Sequence, residues 1–192
     1  MSVSAIYDRA FFEAHVPWRQ EYSLIAETIA RHLTFSSALD LGCGNGFLIA
    51  HLARLGKIVD GVDGSSHSIE LAAPEIATRI QIQDLTQPLW LKRRDIVLCS
   101  EVGEHLDPAY ADILVDNICI NARELVFFTA ATPGQGGHSH INERPHQYWI
   151  DKFQSRCFAL DAATTATIRR ELSECITALW WFTNNAMVFR AE

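Results

Sequence analysis

Residues 38–46, Ala38-Leu39-Asp40-Leu41-Gly42-Cys43-Gly44-Asn45-Gly46, read as a strand that ends in a turn built almost wholly of glycine. Glycines at alternate positions (Gly42, Gly44 and Gly46) tolerate positive φ and bring main-chain N–H groups close to a bound molecule, with a helix N-terminus expected from Phe47. An ordinary tight strand-to-helix turn needs only one glycine. Asp40 falls at the carboxyl end of the strand, where open α/β sheets place their ligands. A nucleotide-like cofactor is therefore the first expectation.

The chain on either side alternates strands and helices. Strands are expected at 38–41, 57–62, 79–83, 95–99 and 124–130, with helices at 46–55, 66–73 and from Asp107-Pro108 to about Ile120. This order predicts βαβ units and a parallel sheet. Upstream, apolar residues at helical spacing between Asp8 and Leu33, interrupted by Pro17, predict two helices. Downstream, a helix at 146–155, a short strand at 157–160, a helix over 162–181 and a last strand at 186–190 complete the pattern. At 192 residues a single domain, 1–192, is expected, with 1–34 as a helical cap and 35–192 as the core.

Composition narrows the function. Apolar residues make up 48% of the chain and charged residues 20%, ordinary for a folded soluble protein. The formal net charge of −7 lacks the basic footprint that nucleic-acid binding uses. The five cysteines have no C-x-x-C pairing and read as reduced core residues. No basic leader precedes an apolar stretch, and no apolar run reaches about 18 residues, so a cytoplasmic protein with no membrane contact is expected.

Two further carboxylates end strands where a nucleoside needs them. Asp63, followed by Gly64, closes the second strand and can accept both ribose hydroxyls; Asp84, followed by Leu85, closes the third, within reach of an adenine amine. Three carboxylates around one cleft repel a pyrophosphate but suit a ligand carrying an ammonium, a sulfonium, a ribose and an adenine. That ligand is S-adenosylmethionine. The motifs D-L-G-C-G-N-G, Asp63, Asp84 and D-I-V-L-C-S-E-V-G-E-H-L together resemble the class I S-adenosylmethionine-dependent methyltransferases over about Ala38–Ala130. The resemblance implies a Rossmann-like, doubly wound, seven-stranded and mostly parallel α/β sheet with a final antiparallel strand. It also implies Asp40 and Gly42 near the methionine moiety, Asp63 on the ribose, Asp84 and Leu85 on the adenine, and Ser100 and Glu101 beside the sulfonium. A dinucleotide-binding protein is one alternative, and it leaves Asp40 and Asp84 unexplained; a non-catalytic protein on the same fold is the other, and the intact Asp40, Gly42, Gly44 and Asp63 argue against it.

Methyl transfer needs an acceptor held in line and, for a hydroxyl, a route for its proton. Glu101, Glu104 and His105 share one face if the chain turns helically after the fourth strand. His140, or His138 in its place, joins them from the polar loop Thr132–Pro145, whose length suggests function. This set suits Mg²⁺ or Mn²⁺. Glu-x-x-Glu-His with a later histidine resembles the metal-dependent small-RNA 2′-O-methyltransferases, and its first part the ubiquinone-pathway O-methyltransferases. The expected activity is O-methylation of a small hydroxylated or carboxylated acceptor, such as a sugar or a natural-product intermediate, with RNA as the alternative substrate. Tyr7, Phe11, Phe12 and Trp18 read as a lid or as N-terminal core, and Trp180 and Trp181 as core or interface residues.

Overall fold

The computed structural model describes residues 3–192; Met1 and Ser2 of the expected cap lie outside them. Three helices lead in: α1 (Val3–Ile6), α2 (Arg9–His15) and α3 (Arg19–His32). Asp8 caps α2 by accepting from the Phe11 N–H, and Pro17 sits in a 3₁₀ turn, Val16–Trp18, rather than simply ending a helix. The N-terminus thus has one short helix, α1, and one 3₁₀ turn beyond the two helices expected. The core follows as β1 (Ser37–Leu41), α4 (Phe47–Arg54), β2 (Ile58–Asp63), α5 (His67–Glu70), α6 (Pro74–Ala77), β3 (Ile80–Ile82) and β4 (Arg94–Ser100). It continues through α7 (Ala111–Asn121), β5 (Ala122–Thr129), α8 (His146–Gln154), β6 (Phe158–Leu160), α9 (Ala162–Cys175), α10 (Trp181–Asn185) and β7 (Met187–Ala191).

The seven strands lie in the order β3-β2-β1-β4-β5-β7-β6. The first five pair in parallel, and β7 inserts antiparallel between β5 and β6. β1 is buried at every residue, as a central parallel strand covered on both faces must be. One face packs α3, α4 and α9 through Ile25, Ile29, Leu52, Ile168 and Leu172; the other packs α7 and α8 through Leu114, Ile118, Trp149 and Phe153. The chain leaves β1 in opposite directions on its two sides, so the crevice opens at the carboxyl ends of β1 and β4.

Two expected helices break. The helix expected over 66–73 stops at Glu70, and Pro74 opens the separate α6. The helix expected over 162–181 ends at Cys175, because the Glu21 carboxylate accepts from the backbone N–H groups of Thr177, Ala178 and Leu179 at 2.7–3.0 Å. Those contacts hold the chain in a turn before α10.

Polar side chains inside the fold position its loops. Asn117 and Asn121, both buried on α7, bond the backbone of Leu85, Gln87, Leu89 and Leu91, which fixes the segment after β3. The N-terminal segment is tied over β2, with Ser65 Oγ donating to the Tyr7 carbonyl (2.7 Å) and the Ser66 N–H to Ser4 Oγ (3.3 Å). After β4, Gly103 lies against the fully buried Trp149: a Cβ there would sit 2.6 Å from its ring. Gly103→Ala is therefore expected to lower stability by about 1–3 kcal/mol in urea unfolding, the usual cost of overpacking a tight core.

Candidate functional site

Strand ends, the N-terminal helices and the loop after β5 enclose a cavity of about 660 Å³. Its floor is the glycine turn. Gly42, Gly44 and Gly46 all have positive φ (+81°, +53° and +67°), as the sequence requires. A Cβ on Gly42 would overlap Val102, whereas one on Gly44 would meet nothing nearer than Phe12 at 3.8 Å. Gly42 and Gly44 both line the cavity, and at Gly44 the space a side chain would take is open. Gly46, expected at the cofactor, does not line it; it caps α4 and packs on Ile76, so its lack of a side chain serves packing.

Asp63 organises the turn, accepting the Gly44 N–H at Oδ2 and the Ser65 N–H at Oδ1, both at 2.8 Å. Burial still raises its pKa against those bonds. Asp40 is 2% exposed, and its Oδ1 has no partner among the described residues. Burial, and then the charge of Asp63, raises its pKa from 3.8 to about 8. Gly64, Leu85 and Ser100 line the same cavity, and Ser100 Oγ is likewise buried without a partner. Asp84 lines it too but is exposed, and its Oδ1 accepts from both the N–H and the hydroxyl of Thr86.

The stretch after β4 differs from the helical face expected. Glu101 holds a left-handed backbone, φ 54°, with its N–H bonded to Thr129. Its carboxylate accepts from Gln135 (3.1 Å) and Asn185 (3.2 Å). A single 3₁₀ turn, Gly103–His105, then places Glu104 and His105 beside His140, with one ligand atom from each within 4.8 Å of the others. Glu101 stands outside this group because its left-handed backbone turns it toward the loop and α10. His138 is also outside: its Nε2 lies 3.2 Å from the Ile6 carbonyl and its ring against Tyr7 and Phe11.

Glu104 is fully buried, and neither of its carboxylate oxygens has a hydrogen-bond partner among the described residues. Burial, then Glu101, pushes its carboxyl well above the usual range. Burial, then His140, lowers His105 to about 4, so its ring is neutral near pH 7, and its Nδ1 is buried and unpartnered. Glu143 sets the third group. It accepts the Gly134 and Gly136 N–H groups at 2.7 Å and lies 3.0 Å from His140 Nδ1, and these bonds, chiefly that from His140, keep it ionised. His140 thus carries its proton on Nδ1 and presents Nε2. The loop docks by bonds from the Ile141 and Asn142 N–H groups to the Glu104 carbonyl (2.9 and 3.0 Å). The sequence offered no signal for Gln135 or Asn185 beyond their polarity, since their partners lie far along the chain, whereas Glu143 bonds within its own loop.

Asp40 makes stability pH-dependent in a definite direction. Between its unfolded pKa of 3.8 and its folded pKa of about 8, the native state holds a proton that the unfolded chain has released, so this group's contribution falls as pH rises. Asp40→Asn is expected to gain stability relative to the parent from pH 4 to pH 8, at no more than about 1.4 kcal/mol per pH unit. Thermal melts across that range check this; a constant difference refutes the raised pKa.

Residues 39–118 match the family model described as a methyltransferase domain. The ubiquinone biosynthesis O-methyltransferases of Pasteurella multocida and Methylobacterium nodulans are 28% and 32% identical over 116 and 126 residues. These alignments cover 52% and 56% of this chain, which spans about half (48% and 49%) of those relatives. The magnesium protoporphyrin IX methyltransferase of Synechocystis, solved with S-adenosylhomocysteine, superposes with a TM-score of 0.65 at 16% identity, covering 98% of this chain and 92% of that one. The glycine turn and the strand-end carboxylates lie within the stretch that matches the methyltransferase-domain model, and the sheet has the fold of the solved methyltransferase to which the chain is similar.

Proposed function

We propose that the protein transfers a methyl group from S-adenosylmethionine to a hydroxyl of a small molecule. The observation that carries this reading is one cavity with two chemically distinct ends. At one end are the glycine turn, Asp40 and Asp63; at the other, His105 and His140, with Glu104 buried behind them. Its volume is within the ~300–1,000 Å³ of small-molecule sites. In this reading Asp63 takes the ribose, Asp84 and Leu85 the adenine, Asp40 and Gly42 the methionine end, and Ser100 and Glu101 flank the sulfonium. The acceptor oxygen forms the new O–CH₃ bond as the S–CH₃ bond breaks, its electron pair passing to sulfur and the hydroxyl proton to an imidazole.

RNA is the weaker reading, because no Lys or Arg lines the cavity among the described residues and the chain's net charge is −7.

The second end also fits a divalent cation. Two buried carboxylate oxygens and an imidazole nitrogen without partners among the described residues, next to an imidazole oriented by a carboxylate, are a donor set of the kind Mg²⁺ and Mn²⁺ take. Glu104, His105 and His140 would hold it, and when bound it makes a coordinated hydroxyl more acidic.

Calorimetry is expected to give S-adenosylmethionine binding that Asp63→Asn weakens by about 1.5–3 kcal/mol, the value of a hydrogen bond to a charged group. Binding of a nicotinamide dinucleotide in its place overturns the reading. For the cation, Mn²⁺ binding lost in His140→Ala and retained in His138→Ala is expected, with chelation stopping turnover but sparing cofactor affinity. Full turnover after chelation leaves the proton to the imidazoles. Were His105 the base, the rate would then rise through about pH 4, not near the ~6.5 of a free imidazole.

A further inference from the structure

Glu101 follows β4 in a conformation that its neighbours must hold. Its backbone is left-handed (φ 54°), a costly region for a residue with a Cβ, and its side chain lines the cavity. Both carboxylate oxygens accept from amides: Oε2 from Gln135 Nε2 (3.1 Å) and Oε1 from Asn185 Nδ2 (3.2 Å). Asn185 Nδ2 also donates to Gln135 Oε1 (2.8 Å), so the three side chains close a ring. Asn185, the last residue of α10, is fully buried. The ring therefore joins the end of β4, the loop after β5 and α10. The same short helix brings Trp181 to the cavity, 5.7 Å from Trp18, so this residue, expected as core or interface, belongs to the site.

The chemistry of the ring is selective. Primary amides orient a carboxylate without cancelling its charge, whereas the guanidinium or ammonium of an ion pair does both. Among the described residues no Lys, Arg or His forms an ion pair with Glu101. Glu101 also stands apart from Glu104, His105 and His140, the groups that fit a divalent cation. The strand order indicates what its carboxylate meets. Asp84, Asp63 and Asp40 sit at the carboxyl ends of β3, β2 and β1, and Glu101 at that of β4, the next strand in the sheet. A ligand with its adenine at Asp84 and its ribose at Asp63 extends over β1 toward β4, which sets its sulfur at the Glu101 end. That sulfur is a cation in the methyl donor and a neutral thioether in the product, so a carboxylate fixed there favours the donor.

We propose that Gln135 and Asn185 are positioning residues, which fix the Glu101 carboxylate at the cavity wall and so raise the affinity for S-adenosylmethionine relative to S-adenosylhomocysteine. This rests on the methyltransferase reading and adds to it the residues that tune discrimination between methyl donor and product. A purely structural ring would serve both ligands alike, because they share adenine, ribose and amino acid and differ at sulfur.

Calorimetric titration of the whole chain with each ligand reads the preference as the Kd for S-adenosylhomocysteine divided by that for S-adenosylmethionine. Glu101→Gln removes the charge itself and is expected to cut this ratio about tenfold. Gln135→Met and Asn185→Leu, close in volume to the residues replaced but unable to donate, are each expected to cut it about fivefold, with S-adenosylhomocysteine affinity kept within about twofold. In the Glu101→Gln background, Gln135→Met is expected to change the ratio by less than about twofold, as it must if it acts through Glu101. Gln135 is only partly buried, so Gln135→Met decides the matter where Asn185→Leu fails to fold. Equal weakening of both ligands or an unchanged ratio in Gln135→Met, or a full further loss in the double variant, overturns the proposal and leaves the methyltransferase reading standing. If the parent protein binds neither ligand, that reading falls and takes this one with it.

Discussion

The Asp63 carboxylate, by accepting N–H groups from Gly44 and Ser65, ties the end of β2 to the turn after β1. Much of the site follows from those two bonds. They fix the glycine turn at the height of the strand ends, next to the bonds from the Gly42 and Cys43 N–H groups to the Val62 carbonyl, and they set the start of the loop on which the N-terminal segment rests. They also keep a nearly buried carboxylate close to Asp40, and that proximity adds to burial in holding a proton on Asp40 near neutral pH. A buried acid with one oxygen unpartnered among the described residues is costly, and a ligand that completed it would remove that cost.

The nucleotide-binding half was legible because its signals are local. Backbone close approach demands glycine, and parallel strands buried on both faces show as short apolar runs, so β1, β2, β4 and β5 and the strand-end acids stand out in the sequence. Reading failed where a distant residue decides the local conformation. Glu21 ends α9 from more than 150 positions away along the chain, and Gln135 and Asn185 converge on Glu101 from the loop and α10. The expected helical face of Glu101, Glu104 and His105 dissolved for the same reason, since the left-handed backbone at Glu101 is held by Thr129 on the neighbouring strand. The trio that forms instead, Glu104, His105 and His140, keeps two of those three residues and the favoured histidine.

The loop after β5 is glycine-rich yet closely tied. Glu143 gathers Gly134, Gly136 and His140, while Asn142 bonds the Gly103 carbonyl and two loop N–H groups bond that of Glu104. Glycine here permits a tight path more than it confers looseness: a Cβ on Gly137 would overlap the His140 ring. The imidazole and the buried carboxylate are thereby held in register by main-chain contacts that do not depend on either side chain.

The N-terminal segment is fastened differently. Of α1 and α2, only Phe12 is buried; single hydrogen bonds to Ser65, Ser66 and His138, each worth about 1 kcal/mol, an exposed Arg9–Glu70 pair and one buried bond, from Asn45 Nδ2 to the Phe12 carbonyl (2.9 Å), tie the segment down. Opening this segment alone would leave the strand pairings of the sheet intact and so would cost less than global unfolding. Because it bears Tyr7 and Phe11, which line the cavity, such an opening would widen access to the cavity without disturbing the strands that form its floor.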